Sequence, residues 1–239
     1  MLLDVTFTPR ELARLDRRSH AVAIIDVVRA STTMVQGLAS GCPAFIPVPS
    51  VASARRTARA LGSPDVLVGG ERRGVAVRGF DLGNSPLEYT PERVKGKTVV
   101  FTTTNGTAAI AAATDARRVV IAAFVNLEAV IRHLVADGGD VTVAAAGRLG
   151  RPALDDTVCA GLIVERVRQE SEGGYTLTDG AYLALEASKE QRPRLREMLA
   201  QAASGRALKA LGAEDDLDFC ARLDVFDLVP SVEDGRVIL

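Results

Sequence analysis

Runs of apolar and β-branched residues alternate with alanine-rich helical stretches through the first two thirds of the chain. This pattern is typical of βα units around a largely parallel sheet, whose strands are buried on both faces. The apolar runs predict strands at Ala21–Val28, Ala44–Val48, Asp65–Gly69, Thr98–Thr102, Arg118–Ala123 and Asp140–Ala145. The stretches between them predict helices at Thr32–Ala39, Val51–Leu61, Thr107–Ala113, Leu127–Ala136 and Asp155–Gln169. The predicted fold class is α/β.

The rest of the chain predicts a long loop and a helical C-terminal portion. Residues 69–97 are rich in Gly, Pro, Asn and Asp, and this connection is longer than an ordinary turn requires. Residues 179–223 predict several short helices, and the closing VFDLVP and RVIL segments predict one or two strands that make the sheet mixed. We expect a single domain over residues 1–239, because no segment has the composition of a linker.

Composition narrows the class of protein. The chain has 239 residues, of which 47% are hydrophobic, and can bury a sizeable core. Its 29 basic residues are balanced by 30 acidic ones, which disfavours binding to nucleic acid or an anionic membrane. Three cysteines without a CxxC pair favour reduced thiols, and the longest apolar run, 119–125, is too short to span a bilayer. We expect a cytoplasmic protein, and leave open whether it is a homo-oligomer.

Polar residues follow several predicted strands, where ligands bind in open α/β sheets. The first such junction, IIDVVRASTT, places Asp26 near a strand end and Ser31–Thr33 at the next helix, where hydroxyls and amides favour an anion. Arg29 would add a bidentate contact to phosphate or sulfonate. Two alternatives stay open: plain helix capping by Ser31–Thr33, and a structural ion pair between Asp26 and Arg29.

The second junction, FTTTNGT, runs from a strand into an alanine-rich helix. Its candidate anion-binding residues are Thr103, Thr104, Asn105, Gly106 and Thr107. Gly106 permits close approach of a ligand, and its neighbours offer amide and side-chain donors. An ordinary strand-to-helix turn is the alternative.

Acidic residues in the long loop are candidate metal ligands. Glu71 in GGERRG and Asp81 in FDLGNSP offer the carboxylate oxygens that magnesium prefers, and Arg72 and Asn84 lie beside them as candidate substrate contacts. The alternatives are a solvated charge cluster around Glu71 and loop turns held by Asp81 and Asn84.

The last junction, AGRLGRPALDDTVCAG, opens a helix with Asp155 and Asp156. Adjacent carboxylates can hold a metal or divide acid and base roles, and Arg148 and Arg151 suit anionic substrate groups. A favourable interaction with the helix dipole is the alternative, and it has more weight for Asp155 than for Asp156.

Taken together, the segments DVVRASTT, GGER, GFDLGNSP, TTTNGT and AGRxGxxxLDDTVCAG, with a weaker echo in DLDFC near Asp218, resemble the 2-phosphosulfolactate phosphatase family. The resemblance implies a three-layer α/β/α fold with a mixed sheet. It also implies a magnesium-dependent acid phosphatase acting on 2-phospho-3-sulfolactate, a reaction of coenzyme M biosynthesis. The family usually has Glu at position 155 and a Gly-rich continuation at Arg72 and Arg73, so a metal role is more doubtful for Asp155 than for Asp156.

We therefore predict metal-assisted hydrolysis of a small anionic organophosphate, with Mg²⁺ as cofactor. The predicted catalytic residues are Asp26, Asp155 and Asp156, and the predicted metal ligands are Asp26, Glu71, Asp81 and Asp156. Direct attack by water is favoured over a phospho-aspartyl intermediate, since Val28 stands where a second acid is expected. The alternatives are a phosphatase for another small phospho-acid and a non-catalytic anion-binding module.

Overall fold

The computed structural model describes residues 1–171 and 174–239. The strands of this part of the chain are β1 (Leu2–Thr6), β2 (Ala21–Ile25), β3 (Phe45–Pro47), β4 (Val66–Arg72), β5 (Val75–Ala76), β6 (Thr98–Thr102), β7 (Arg118–Ala122), β8 (Val141–Ala145), β9 (Thr176–Leu177), β10 (Ser231–Glu233) and β11 (Arg236–Ile238). The α-helices are α1 (Pro9–Leu12), α2 (Ala30–Ala39), α3 (Val51–Leu61), α4 (Pro91–Val94), α5 (Gly106–Ala112), α6 (Leu127–Asp137), α7 (Leu154–Glu170), α8 (Asp179–Ser188), α9 (Leu195–Gln201), α10 (Ala203–Ala210) and α11 (Asp215–Cys220).

Within the described residues, all of these strands belong to one sheet, in the order β5-β4-β6-β3-β11-β10-β7-β2-β8-β1-β9. Two parallel groups, β4-β6-β3 and β7-β2-β8-β1-β9, are joined by the antiparallel hairpin β10–β11. Strand β5 adds a second antiparallel pairing at one edge. The predicted α/β class with a mixed, largely parallel sheet is confirmed.

The central strand β2 shows why the sheet lies between two helical layers. All five of its residues are buried, and successive side chains of a strand point to opposite faces. Ala23 and Ile25 pack in one core with α6, α7 and α8, whereas Val22 and Ile24 pack in a second core with α2 and α5. The strand is therefore covered on both faces, which explains its continuous apolar run.

The predicted and observed bounds differ mainly where side chains take over backbone hydrogen bonds. Strand β2 was expected to reach Val28 but ends at Ile25, because the amide of Asp26 donates to Ser31 Oγ at 2.9 Å. Glu71 was expected to follow β4 but lies within it. The VFDLVP segment is not a strand, and the C-terminal hairpin begins at Ser231.

The carboxyl ends of β2, β4, β6 and β8 carry the polar segments identified in the sequence. Helices α9, α10 and α11 pack beside these ends and add C-terminal residues to the same region. No helix among the described residues has both the length and the apolar character needed to cross a bilayer.

Candidate active site

A cavity of about 150 Å³ lies at the carboxyl ends of the parallel strands. The predicted site residues that line it are Asp26, Arg29, Glu71, Asn84, Thr104, Asn105 and Arg148. Its other lining residues are Val28, Arg73, Gly74, Leu149, Ser204, Ala207 and Leu208. Segments far apart in the chain thus converge on one cavity, with polar groups on one side and apolar side chains from α10 on another.

Asp26 lies just past the end of β2 with one carboxylate oxygen available to the cavity. Its Oδ1 accepts a hydrogen bond from the amide of Ala30 at 3.2 Å. No hydrogen bond to Oδ2 is made within the described residues, and Oδ2 faces Gly106. Burial, together with the negative charges of Glu71 and Asp155, raises the pKa of Asp26 from 3.8 to about 7, although the amide of Ala30 opposes the shift. Asp26 is therefore a buried acid that makes no salt bridge within the described residues, although the charge of Arg29 also opposes the rise of its pKa.

Asp155 and Asp156 are adjacent in the first turn of α7 but have different surroundings. Both oxygens of Asp156 accept backbone amides, from Val27 at 2.9 Å and from Gly147 at 3.0 Å. Asp156 thereby joins the segments that follow β2 and β8. Burial and the charge of Asp155 raise the pKa of Asp156, and the two amides oppose that shift.

The carboxylate of Asp155, by contrast, has weaker hydrogen-bond support than that of Asp156. Ser204 Oγ donates to its Oδ1 at 3.5 Å, which is long for a hydrogen bond. Burial raises the pKa of Asp155 to about 6, although amides of the first helical turn and the charge of Arg148 oppose the shift. The sequence favoured Asp156 over Asp155 as a metal ligand, and neither residue is among those that line the cavity.

Glu71 connects two of the turns around the cavity. Its Oε1 accepts the amide of Thr104 at 2.6 Å, and its Oε2 accepts the amide of Gly74 at 2.6 Å and the hydroxyl of Thr104 at 3.1 Å. These three bonds hold the β4–β5 turn against the residues that follow β6. Glu71 therefore contributes negative charge and rigidity to the cavity wall.

Arg29 pairs with a residue that the sequence did not identify. Its Nη1 lies 2.6 Å from Asp216 Oδ2, and its Nη2 donates to the carbonyl oxygen of Gly74 at 2.8 Å. The other Asp216 oxygen accepts a hydrogen bond from Ser85 Oγ at 2.5 Å. The considered ion pair between Asp26 and Arg29 does not form. Asp216 was within the DLDFC echo, but nothing local indicated that this segment would reach Arg29.

The hydroxyls of Ser31, Thr32 and Thr33 bind backbone groups of the fold rather than lining the cavity. Thr32 donates to the carbonyl of Val27 at 2.8 Å, and Thr33 donates to the carbonyl of Asn84 at 2.9 Å. With Ser31 bonded to the Asp26 amide, the three side chains shape the strand-to-helix junction. A contact between these three residues and the substrate stays a prediction, and it would have to be made by their backbone groups. The Asn84 side chain lines the cavity, and its buried Oδ1 has no hydrogen-bond partner within residues 1–171 and 174–239.

The second junction lies directly beside Asp26. A Cβ atom placed on Gly106 would lie 2.8 Å from Asp26 Oδ2 and 2.7 Å from Ala30 Cβ, so only glycine allows this approach. Thr103 and Thr107 bond to each other, with the Thr107 amide donating to Thr103 Oγ1 at 3.2 Å. Thr104 and Asn105 from the same turn line the cavity.

Asp81, Arg72 and Arg151 are among the predicted site residues that do not line the cavity. Asp81 is exposed, and its Oδ2 accepts the amide of Val68 at 2.8 Å. Arg72 extends to Thr102 Oγ1 at 2.8 Å, and Arg151 is exposed. Conversely, the sequence missed Ser204, because no short-range pattern indicates which C-terminal helix covers a cavity formed by earlier segments.

The donor set can be compared with the needs of a divalent cation. The described part of the chain contains no group of three or more His, Cys, Asp or Glu residues arranged to hold a metal. Mg²⁺, however, commonly binds through one or two carboxylates together with water and substrate phosphate. Asp26 lines the cavity with an oxygen that accepts no hydrogen bond within the described residues, and Asp155 lies close enough for its charge to raise the pKa of Asp26. This pair fits such a cation.

Comparison with known proteins places the chain in a family. A family profile described as "2-phosphosulpholactate phosphatase" matches residues 6–235. A protein of Symbiobacterium thermophilum is 41% identical over 220 residues, covering 92% of this chain and 94% of its own. A protein of Clostridium beijerinckii is 34% identical over 237 residues, covering 99% of both. Each of these relatives is named "Probable 2-phosphosulfolactate phosphatase". The chain belongs to the 2-phosphosulfolactate phosphatase family.

Proposed function

We propose that this protein is a magnesium-dependent phosphatase that hydrolyses 2-phospho-3-sulfolactate to sulfolactate and phosphate. Family membership and the names of the relatives support the substrate. The observation that carries the proposal is the neighbouring pair of buried carboxylates, Asp26 and Asp155, which have weak hydrogen-bond support and raised pKa values. Two such acids destabilise each other as anions unless a cation lies between them.

In this proposal Asp26 and Asp155 hold Mg²⁺, which would supply positive charge to the phosphoryl oxygens. The polar groups of Thr104 and Asn105 orient the phosphoryl group from the opposite wall. Arg148 contacts the anionic part of the substrate, and Asn84 Oδ1 accepts a hydrogen bond from water or a hydroxyl group. Asp156 and Glu71 hold this arrangement through their backbone hydrogen bonds.

Water is the proposed nucleophile. A phospho-aspartyl intermediate at Asp26 would require a second acid two residues later, and Val28 stands there instead.

The size of the cavity supports a small substrate. A volume of about 150 Å³ equals that of an engineered protein cavity that holds benzene, so the enclosed part admits a phosphoryl group and a few further atoms. Four apolar residues line it, Val28, Leu149, Ala207 and Leu208. This apolar wall favours, as a second candidate, a phospho-acid with an apolar substituent, such as phospholactate.

The test is phosphate release from a panel of 2-phospho-3-sulfolactate, phospholactate and phosphoglycolate. The proposal predicts that turnover disappears with a chelator, returns with Mg²⁺, and has the highest kcat/KM for phosphosulfolactate. A higher kcat/KM for phospholactate would favour the second candidate. No release from any of the three with Mg²⁺ present would favour a non-catalytic anion-binding module.

Two further assignments accompany the proposal. The reaction would serve coenzyme M biosynthesis, the pathway in which phosphosulfolactate hydrolysis occurs. A cytoplasmic location is supported by the three cysteines Cys42, Cys159 and Cys220, which are buried thiols without disulfide partners in the described part of the chain.

A further inference from the structure

Three arginines line the cavity, and they differ in whether a carboxylate neutralises them. Arg29 is buried and lies 2.6 Å from Asp216. Arg73 and Arg148 have no Asp or Glu oxygen within 4.0 Å among the residues that the structure describes. The positive charge at the cavity that is not engaged in a salt bridge within the described residues therefore comes from Arg73 and Arg148 rather than from Arg29, although the charge of Arg148 also lowers the pKa of Asp155.

The backbone fixes Arg73 at the edge of the cavity. Its amide donates to Thr104 Oγ1 at 3.0 Å, and the amide of the next residue, Gly74, donates to Glu71 at 2.6 Å. Arg73 adopts a left-handed backbone conformation with φ of 54°. Only its exposed side chain is left to move, so the guanidinium stays within reach of the cavity.

Arg148 is fixed in the same way on another turn. Its amide donates to the carbonyl of Arg151 at 2.8 Å, and the amide of Arg151 donates back at 3.0 Å. The preceding amide, from Gly147, donates to Asp156 at 3.0 Å. The Arg148 side chain is half-buried and lines the cavity. Two arginines on rigid turns thus border one small cavity.

The cavity consequently has two poles of opposite charge. Its inner part contains the buried acid Asp26, and its edge contains Arg73 and Arg148. A phosphoryl group bound through a cation at Asp26 leaves the rest of a small substrate directed towards the arginines. Guanidinium groups bind carboxylate and sulfonate oxygens in a bidentate manner, with strong hydrogen bonds.

We infer that Arg73 and Arg148 form a site for a second anionic group of the substrate, a sulfonate or carboxylate. Arg73 then makes the contact to an anionic group that the sequence predicted for Arg29. The substrate class is then a phosphate monoester that carries at least one further anion. This inference rests on the proposed function only for which end of the cavity the phosphoryl group occupies.

The experiment compares Arg73→Ala with wild type on 2-phospho-3-sulfolactate and on 4-nitrophenyl phosphate, which has no second anion. For phosphosulfolactate, kcat/KM should fall about 10-fold to 100-fold, the factor expected from losing a charge-assisted hydrogen bond. The loss on the aryl phosphate should be smaller by about 10-fold or more. Arg73→Lys should restore part of the difference, because it keeps the charge but not the bidentate geometry.

Arg78→Ala is the matched control. Arg78 is an exposed arginine of the same segment that does not line the cavity, so its removal should leave both activities unchanged. Equal losses on the two substrates in Arg73→Ala, or the same differential loss in Arg78→Ala, would overturn the inference.

A binding measurement separates this inference from the proposed function. Sulfolactate should raise the Tm of wild type and of Arg78→Ala, and should raise that of Arg73→Ala much less. If no variant released phosphate while sulfolactate binding still depended on Arg73, the proposed function would fail and the anion site would stand. If sulfolactate bound equally to all variants, the anion site would fail whatever the turnover.

Discussion

Replacing Asp26 by Asn should stabilise the metal-free protein near neutral pH, although the residue lies at the centre of the proposed site. The pKa of Asp26 is raised from 3.8 to about 7, first by burial and then by neighbouring acids. An acid with a higher pKa in the folded state binds its proton more tightly when folded. Its contribution to stability is therefore present at low pH and is lost as the pH rises from 3.8 through about 7.

The size of the effect follows from the shift. One pKa unit corresponds to about 1.4 kcal/mol, and Asp26 is half ionised at its folded pKa of about 7, so raising the pH from about 5 to about 7 should cost wild type about 2 kcal/mol through Asp26 alone. Asn carries no charge and removes this term. Asn also removes a charge that repels Asp155. Over the same pH range, the free energy of unfolding of Asp26→Asn should therefore fall less than that of wild type, by at least this amount.

Urea unfolding at about pH 5 and about pH 8, with and without Mg²⁺, measures both parts of the argument. Without metal, the free energy of unfolding of wild type should fall between the two pH values, and that of Asp26→Asn should fall much less. Mg²⁺ should stabilise wild type at the higher pH and Asp26→Asn little, since a ligand stabilises only the state that binds it. Asp215→Asn, a change at an exposed acid, is the control. A pH slope in Asp26→Asn equal to that of wild type would refute the reasoning.

Three further changes test separate features. Asp156→Asn leaves one of the two amides at this carboxylate without an acceptor. We therefore expect lost activity and, in urea unfolding, a free energy of unfolding lower by about 1–3 kcal/mol. Full activity would exclude Asp156 from the site. Asp216→Asn leaves the buried Arg29 charge uncompensated and should cost at least about 2 kcal/mol by the same assay, against about 0.5 kcal/mol for Asp215→Asn. Gly106→Ala places a methyl group against Asp26 Oδ2 and should lower kcat strongly, and normal turnover would contradict the close packing observed there.

Local signals in the sequence were sufficient for elements that end in recognisable residues. Helix α3 has the predicted bounds, because Ser50 accepts the amide of Ser53 at its start and Gly62, with φ of 58°, ends it in a left-handed conformation. Strand β6 also has the predicted bounds, as an apolar run between a lysine-rich turn and a threonine run. Strand β1 was missed, because Asp4 interrupts its apolar pattern and bonds instead to Thr178, 174 positions away.

The site was predictable as a set of segments but not as a set of contacts. Parallel strands bring their carboxyl ends to the same edge of a sheet, so the sequence predicted that the polar residues after β2, β6 and β8 would lie close together. The partner of Arg29 did not, because Asp216 lies 187 positions away and reaches it only through the packing of α11. Long-range pairs of this kind depend on how the C-terminal helices pack, which periodicity does not describe.

Four buried acids near the cavity were candidate catalytic or metal-binding residues in the sequence, and hydrogen bonding divides them into two kinds. Asp156 and Glu71 use both oxygens to accept backbone amides, which fixes the turns around the cavity. Asp26 and Asp155 lack such support, so their charges destabilise the metal-free fold at neutral pH. The same deficit is what makes them suited to a cation or a transferable proton. A substitution that relieves it at Asp26 or Asp155 should therefore give a more stable protein and a poorer enzyme.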